Sequence, residues 1–541
     1  MNPRQYARSF LRDDLVAAFI VSVLLIPQSL AYAMLAGLPP QVGIYASLLP
    51  LLAYAALGSS PVLGVGPVAA LALMISQALG QLPAGVTPEE AALVLAAEVG
   101  IVLALAALLR LDALASLLSV PVLHGFETGT TLAIALTQLP VLLGSPVHGD
   151  ALPELLRDAL ARGFPWHAIS AAFGVAVCLL LVAGRRWLGG PVARLLPLAL
   201  LLGALAVAKL GGIERMGVAL VGAMPEMHLP LGLPRGDAAL WLQLLPSALL
   251  LALMAYVSSL VVAESLARRR GEKVLPRREL AGLAGANIVA ALSGGLPVAG
   301  SFSRSVLLHD AGSRTRMTIA FIAVFMAVAM LALAGPLAWL PKSVLAATII
   351  VAVLSGLNFA PFREAWHYAR PEAVLMAAVA LAVLCVSLGF GLGLGVLGSI
   401  ALMLQRTAQP HVALIGRIPG TEHYRNVGRH HVECLPEVLG LRIDESLLFT
   451  NARRLTDVVQ AHLAGHPQAR RIVLLMSPVN QIDFSGLEAL RELHDNLKAR
   501  GLRLDLSEIK GPVLDRLKDS GWQRWFEGEV FLSHHQGMMA A

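Results

Sequence analysis

Two stretches of the 541-residue chain bring together residue types that can hold an anion. One is LGVGPVAAL (63–71) and the other is GGLPVAGSFSRS (294–305). Each opens on Gly and Pro, which cannot continue a preceding helix, and then becomes a short apolar run. A helix that starts there presents free backbone N–H groups and behaves as roughly half a positive charge at that end. Two such ends facing one another across a small cavity make an anion site before any side chain is added. Arg304 follows the second break directly. With it, the charge of the site is about +2. An Arg held inside an apolar segment costs at least about 2.5–3.5 kcal/mol, so it is a functional candidate. The alternative is an Arg304 that sits in an aqueous vestibule or pairs with an acid; the nearest in sequence is Asp310.

The surrounding composition says which elements must position these residues. Hydrophobic residues make up 57% of the chain and charged residues only 14%, and mean hydropathy is +0.71. A soluble domain is about half apolar and a quarter charged. The composition therefore excludes an ordinary soluble enzyme and a disordered protein, and points to helical membrane spans. The last 131 residues, from His411, hold 16 basic and 16 acidic residues, whereas the first 410 hold 25 and 19. The expected organisation is a membrane domain over 1–410 and a soluble domain over 411–541. The basic pI of about 9.4 comes from the membrane-domain loops and reads as topology, not nucleic-acid binding. Cys178, Cys385 and Cys434 have neither metal-ligand nor disulfide spacing and read as packed or free thiols. No HExxH and no GxxxxGK[ST] loop is present, so neither a metal, a cofactor nor ATP-driven pumping is implied.

Apolar runs able to span or half-span a bilayer start near Leu15, Val42, Pro67, Ala91, Leu117, Ala168, Pro191, Leu240, Leu280, Phe302, Ile319, Leu340, Ala373 and Leu392, fourteen in all. The first has no cleavage site after it and reads as a retained span. Basic residues cluster at the N-terminus (Arg4, Arg8, Arg12) and after even-numbered spans: Arg110, Arg185–Arg186, Arg268–Arg270, Arg314 with Arg316, and Arg363 with Arg370. The positive-inside rule makes these loops, the N-terminus and the tail cytoplasmic, in the inner (plasma) membrane. The third and tenth runs, seven apart, are the two interrupted ones. Matching interrupted segments in two halves point to an inverted-repeat transporter.

IPQSLAYAMLAGLPPQVGIYASLLP (26–50) with GPVAALALM (66–74) resembles the start of the sulfate permease (SulP) family, which includes the animal anion exchangers, prestin and pendrin. RRELAGLAGANIVAALSGGLPVAGSFSRSVLLHDAGSRTR (277–316) resembles the second-repeat signature of that family, and LPKSVLAATIIVAVLSGL (340–357) fits its twelfth span. The resemblance covers nearly the whole chain. It implies fourteen spans as a 7+7 inverted repeat. Spans 1–4 and 8–11 would form a core, and spans 5–7 and 12–14 a gate. The core would move as an elevator with an anion between half-helices three and ten, in a homodimer.

By the same resemblance the substrate contacts fall on Gln28 and Tyr32 of span one, on Gly66, Pro67, Val68 and Ala69 opening span three, and on Ser301, Phe302, Ser303 and Arg304 opening span ten. Gln28 has its own case: a neutral donor beside the helix-kinking Pro27, whose alternative use is a helix-to-helix hydrogen bond. Val68 stands where some relatives carry an aromatic residue, which implies a roomier cavity. One departure concerns coupling. Many bacterial and plant relatives carry an acid in span eight, where this chain has Ser258, or Ala255 one turn earlier. The remaining coupling candidates are Glu264, Glu98 and Glu127. Glu264 lies beside Arg268–Arg270, where a paired surface acid is expected. Glu98 and Glu127 lie inside apolar runs, where an acid is a functional hypothesis by default. Glu127 can titrate, pair with His124 or line an interface.

The tail alternates strand-like and helix-like stretches over 433–459, 470–501 and 502–522, an α/β pattern. It resembles the STAS domain, an anti-sigma-factor-antagonist-like module. In phosphorylated relatives the modified Ser directly follows the Asp of IDFSG (482–486). Phe484 stands there in this chain and only Ser485 remains, so assembly or docking of a cytoplasmic protein partner is the expected role.

The resulting expectation is a secondary transporter, not an enzyme, for small inorganic oxyanions, sulfate first. Bicarbonate, chloride or dicarboxylate exchange, or channel-like conductance, stand as alternatives. A coupled H+ or Na+, an exchanged anion and membrane lipid complete the expected partners. A nucleobase permease shares the 7+7 plan but needs acids to hold a base, against which Ser258 and Arg304 argue. A scaffold whose tail recruits a partner is the remaining class.

Overall fold

The computed structural model describes residues 10–80, 82–83, 85–112, 119–149, 151–187, 190–222, 229–409 and 411–540. Arg4, Arg8, Leu117 and the side chains of Arg185 and Pro191 lie outside this description. The chain divides into two compact units, Met1–Ser399 and Ile400–Ala541. The division falls inside the last apolar helix, Leu388–Thr407, which runs almost to the composition change at His411.

The first half of the first unit contains α1 (Leu11–Leu35), α2 (Pro40–Tyr45), α3 (Leu49–Leu57), strand β1 (Gly64–Gly66), α4 (Ala69–Leu79), α5 (Pro88–Leu108), α6 (Val120–Leu143), α7 (Leu152–Arg162), α8 (Ala168–Trp187) and α9 (Gly190–Gly211). The second half contains α10 (Ala238–Arg270), α11 (Pro276–Leu292), strand β2 (Ala299–Ser301), α12 (Phe302–Asp310), α13 (Met317–Leu337), α14 (Lys342–Leu354), α15 (Ala360–Tyr368), α16 (Arg370–Cys385) and α17 (Leu388–Thr407). Among the described residues, six helical stretches are long and apolar enough to cross a membrane: α1, Pro40–Leu57, α5, α6, α10 and α17. The half-helix α4, most of α8, α9 and α13, and α14 are shorter apolar helices.

The packing recurs when the two halves are exchanged. The helix α1 packs on α13 as α10 packs on α5, and α3 packs on α13 as α11 packs on α5. Similarly α6 packs on α16 as α14 packs on α8, and α1 meets α4 as α10 meets α12. Two halves related by a pseudo-two-fold axis give this pattern. Close approach rests on small residues, the usual device for packing helices in lipid. A Cβ on Gly125 or Gly129 of α6 would stand 2.4 or 2.7 Å from carbonyl oxygens of Met376 and Ala380 on α16.

Local sequence explains the helix ends. Thr87 caps α5 in a capping box with Glu90, and Pro88 fills its first turn. Asp237 caps α10 by accepting the Leu240 N–H at 2.9 Å, and Gly271 ends that helix at a left-handed φ of 67°. Two buried carboxylates then tie loops to helix starts at one end of the unit. Glu279 accepts the Tyr54 hydroxyl at 2.6 Å, the Ser59 and Ser60 N–H groups at 3.0 and 2.9 Å, and the Ser59 hydroxyl. Asp14 accepts the Arg314 and Thr315 N–H groups at 2.8 and 3.2 Å and the Thr315 hydroxyl. Basic residues gather around them: Arg314 faces Asp13, Arg316 donates to the Gly58 carbonyl, Arg270 to that of Ser313 and Arg277 to that of Ala107.

In the second unit, a six-stranded sheet has the order β4-β3-β5-β6-β7-β8, from β3 (Val412–Arg417), β4 (Tyr424–Asn426), β5 (Val438–Ile443), β6 (Arg471–Leu475), β7 (Arg503–Ser507) and β8 (Val530–Phe531). The strands β5 to β8 run parallel, and β3 is antiparallel to both its neighbours. The helices α18 (Ala452–Ala464), α19 (Phe484–Ala499) and α20 (Gly511–Asp519) cover one face, where Ile472, Leu474, Leu504 and Leu506 form a core with Val459, Leu493 and Leu517. The period of two sends Arg471, Asp505 and Ser507 to the opposite face. There the terminal helix α21 (His534–Met539) covers them, and Arg471 donates to the Gly537 and Ala540 carbonyls at 2.8 and 2.7 Å.

Two predictions follow from these buried polar groups. Glu279→Ala strands four donors, and breaking such a buried group costs on the order of 3–5 kcal/mol. Thermal unfolding of the purified protein is expected to move down by many degrees, and by less for Glu279→Gln. In the second unit, burial lowers the His534 imidazole from 6.5 to about 4, with its Nδ1 2.7 Å from Ser507 Oγ. The unfolded chain therefore binds more protons between those values. Stability is complete above about pH 6.5 and falls as pH drops toward 4, by up to about 3 kcal/mol. Amide exchange of residues 530–540, corrected for intrinsic rate, is expected to quicken from pH 7.5 to 5.0, and His534→Gln is expected to flatten that dependence.

Candidate anion site

The two Gly/Pro breaks meet. The strands β1 and β2 pair antiparallel with Gly64 opposite Ser301, Val65 opposite Gly300 and Gly66 opposite Ala299. Each strand leads into a half-helix, β1 into α4 through Pro67 and Val68 and β2 directly into α12. Antiparallel pairing makes the half-helices leave the two-stranded ribbon in opposite directions. The strand ends that lead into them, Gly66 and Ser301, are two residues apart along the ribbon, about 7 Å at about 3.3 Å per residue.

Three side chains hold the ribbon. Ser259 of α10 accepts the Gly300 N–H at 2.7 Å while its own hydroxyl donates to Ala255 of its helix. Asn287 of α11 acts as a short piece of strand: its Oδ1 accepts the Val298 N–H at 2.9 Å and its Nδ2 donates to the Val298 carbonyl at 3.0 Å. Ser305 of α12 accepts the Gly64 N–H at 2.9 Å and donates to the Ser301 carbonyl at 2.6 Å. Such bonds are needed because a ladder of three residue pairs, buried in the unit, leaves backbone groups that must be paired. Neither half-helix has a side-chain cap: Val68 and Ser301 stand at the cap positions without bonding the first turn.

Arg304 lies in the first turn of α12. It is 2% exposed, among the largest fully buried side chains of the chain. Its Nε, Nη1 and Nη2 are buried and make no hydrogen bond with the described residues. The guanidinium lies over Gly66: a Cβ there would be 3.3 Å from Nη1 and 3.5 Å from both Cζ and Nη2. Gly66 also has a φ of 146°, outside the range of L side chains. On the β1 side the Arg304 stem packs so closely that a Cβ on Gly64 would stand 2.8 Å from its Cβ. Arg side chains offer five N–H donors in a planar fork suited to oxyanions.

The other expected substrate residues surround this group unequally. Tyr32 is buried on α1, which packs on α12. Gln28, one turn earlier on α1, is half-buried, and α1 packs on both α4 and α12. Pro67 and Ala69 are buried and Val68 is half-buried at the head of α4. Ser301 is half-buried, Phe302 and Ser303 are exposed, and the Ser301 and Ser303 hydroxyls lie 3.3 Å apart. A cavity of about 260 Å³ lies at the opposite end of α4, lined by Gln77, Gln243, Ser247 and Ser387.

The coupling candidates lie elsewhere. Ser258 is half-buried, and its hydroxyl donates to the Met254 carbonyl of its own helix at 2.7 Å. Ser259, its neighbour, is the one tied to β2, and only the SS dipeptide hinted at it. Glu264 is exposed. Glu127 is exposed on the face of α6 away from Gly125 and Gly129, 3.7 Å from His124. Glu98 is buried at the middle of α5. Sequence reasoning also missed Asn287, whose signal is a carboxamide inside an apolar run. In the second unit Asp483 caps α19 by accepting the Gly486 N–H at 2.8 Å, and Phe484 and Ser485 are exposed in its first turn. Cys178, Cys385 and Cys434 are free thiols.

The model of the Sulfate permease family matches residues 11–379, and that of the STAS domain matches residues 430–537. The chain belongs to the sulfate permease family. It is similar to a probable sulfate transporter of Mycobacterium tuberculosis, 32% identical over 536 residues that cover 95% of this chain and 92% of that protein. It is also similar to the chloroplastic sulfate transporter 4.1 of Arabidopsis thaliana, 30% identical with 96% of this chain and 78% of that one covered. Among solved structures, murine Slc26a9, an anion transporter in the inward-facing state, superposes with a TM-score of 0.87 at 21% identity, over 97% of this chain and 90% of that one. The transmembrane domain of a cyanobacterial bicarbonate transporter superposes with a TM-score of 0.62 at 20% identity, over 72% and 97%. The fold is thus that of a helical transporter with a C-terminal STAS domain, and the sulfate permease member described here is a multi-pass anion transporter.

Gly66→Ala tests the ribbon as the seat of the guanidinium. The added Cβ meets Arg304 and forces a disfavoured φ, at a cost of about 1–3 kcal/mol. A lower unfolding temperature is expected, together with loss of any anion-dependent thermal shift.

Proposed function

We propose that this chain is a secondary active transporter that holds a small inorganic oxyanion, sulfate first, between the N-termini of α4 and α12. The observation that carries the reading is the Arg304 guanidinium, buried with all three nitrogens free of protein acceptors and lying over Gly66 between two uncapped half-helices. One full charge and two helix ends sum to about +2, matched to a dianion. The Ser301 and Ser303 hydroxyls, the first-turn N–H groups, Gln28 and Tyr32 supply neutral donors around it. Sulfate is what the names of the related proteins from Mycobacterium tuberculosis and Arabidopsis thaliana carry.

The transport step is an elevator movement. Two groupings of helices support it: α1 to α5 pack chiefly with α10 to α13, and α6, α8, α14 and α16 pack chiefly with one another, while α9 packs on both α1 and α8. The first set carries the ribbon and the anion as a core, and the second, with α17, is the gate. The protein works as a homodimer in the inner (plasma) membrane, with the basic loop cluster, the N-terminus and the STAS domain in the cytoplasm. The STAS domain docks a cytoplasmic protein partner.

A second reading is exchange of a monoanion such as bicarbonate or chloride. It is favoured by the single guanidinium, whose side-chain charge balances one negative charge. Uptake of labelled sulfate into proteoliposomes, with internal chloride, bicarbonate or a dicarboxylate varied, separates the two. Sulfate uptake is expected, and Arg304→Ala is expected to lower it about 10- to 100-fold, the worth of a charged hydrogen-bonding group. Full uptake by Arg304→Ala would remove Arg304 from the site. Movement of bicarbonate or chloride without sulfate would overturn the substrate and keep the fold.

A further inference from the structure

Three carboxylates are buried among the described residues of the first unit: Asp14, Glu98 and Glu279. Two of them are structural. Asp14 and Glu279 each bind several backbone and hydroxyl donors at a helix start. Glu98 differs in both respects. It sits at the midpoint of the 21-residue helix α5, and it is 4% exposed. Its Oε2 is buried with no hydrogen-bond partner. An ionised carboxylate in such a place is costly unless paired, and an acid retained inside a membrane span is a proton-relay candidate by its chemistry.

Among the described residues, the helices packed on α5 place no counter-charge at its level. The helix α5 packs on α11, α10 and α4. At this level the contacts are apolar: Ala96 and Ala97 pack with Ala290, Ala291 and Trp241, and Gly100 sits against Ile288. The half-helix α4 has no charged residue, and α11 has Arg277, Arg278 and Glu279 in its first turn. Arg277 is engaged at Ala107, nine residues further along α5, which is about 13 Å at 1.5 Å per residue. Glu264 and Arg268–Arg270 occupy the far end of α10, and Asp237 caps its start. On α5 itself the other acids are Glu89 and Glu90 of the first turn.

Placement connects Glu98 to the anion. The helices α10 and α11, on which α5 packs, are the two that hold β2 through Ser259 and Asn287. Charge arithmetic supplies the reason for a proton. With Glu98 ionised, the charge of about +2 from Arg304 and the two helix ends falls to about +1. A bound sulfate then leaves about one uncompensated negative charge, and burying an uncompensated charge is costly. A proton on Glu98 brings the sum to about zero.

We propose that Glu98 is the proton-binding site that couples anion movement to the pH gradient, taking up one proton with the anion on one side and releasing it with the anion on the other. This rests on the transport reading above. The test is labelled-sulfate uptake into proteoliposomes at zero membrane potential, with and without a pH gradient of one unit, acidic outside. Counterflow exchange at equal pH is the internal reference. One proton per anion predicts up to tenfold accumulation by the unaltered protein. Glu98→Gln is expected to lose that accumulation and to lower the ratio of gradient-driven uptake to counterflow at least fivefold. Accumulation retained in Glu98→Gln, or absent from the unaltered protein while counterflow persists, would overturn the proposal and leave the transport reading standing. Absence of counterflow for any anion would instead sink the transport reading. A second measurement does not depend on the variant folding. Sulfate added to the unaltered protein in weakly buffered detergent is expected to take up about one proton per chain, read by a pH dye. No uptake between pH 5 and 8 would contradict the proposal.

Discussion

A guanidinium with five donors, removed from water and given no protein acceptor, is the interaction on which the first unit depends. Left alone, Arg304 is among the costliest residues a membrane helix can carry. The fold surrounds it with groups of the wrong sign to neutralise it: two uncapped helix N-termini and a ribbon of glycine-rich backbone. The anion proposed above completes that environment. The same logic explains the small residues of β1. The guanidinium lies flat over Gly66, and any side chain there would occupy its place.

The ribbon is too short to support itself. Two strands of three residues offer few ladder bonds, and in lipid every unpaired amide is expensive. Ser259, Asn287 and Ser305 finish the pairing from three different helices. The ribbon is therefore tied to α10, α11 and α12. Further out, Asp14 and Glu279 lock loop to helix at one end in the same manner, one from each half of the chain. These polar locks lie among helices that pack mainly with one another. The elevator proposed above would move this body as a unit against α6, α14 and α16.

Much of this was legible in the sequence, for identifiable reasons. The two Gly/Pro breaks and Arg304 announce themselves because glycine, proline and a lone Arg in apolar runs have few other uses. The α/β tail is legible because strand and helix periods alternate within a normally charged stretch. What stayed hidden is what arises only when distant segments meet. Ser258 and Ser259 are equivalent in sequence, and only the approach of β2 singles out Ser259. Asn287, 11 residues before Val298, gives no local sign that it imitates a strand. Glu98, Glu127 and Glu264 look alike as acids in or near apolar runs. The helix face decides between them, leaving Glu127 and Glu264 exposed and Glu98 buried with its Oε2 unpartnered. The terminal helix of the STAS domain was equally unreadable, since its role is to cover Arg471, Asp505 and Ser507 on the polar face of the sheet.

The most direct test of the central claim is a structure of the purified protein with selenate, an electron-dense stand-in for sulfate. The account predicts one selenate between the first turns of α4 and α12. Its oxygens should lie within about 3 Å of the Arg304 guanidinium and of first-turn N–H groups from both half-helices. Selenate held elsewhere, with Arg304 satisfied by a protein carboxylate or carbonyl, would contradict it.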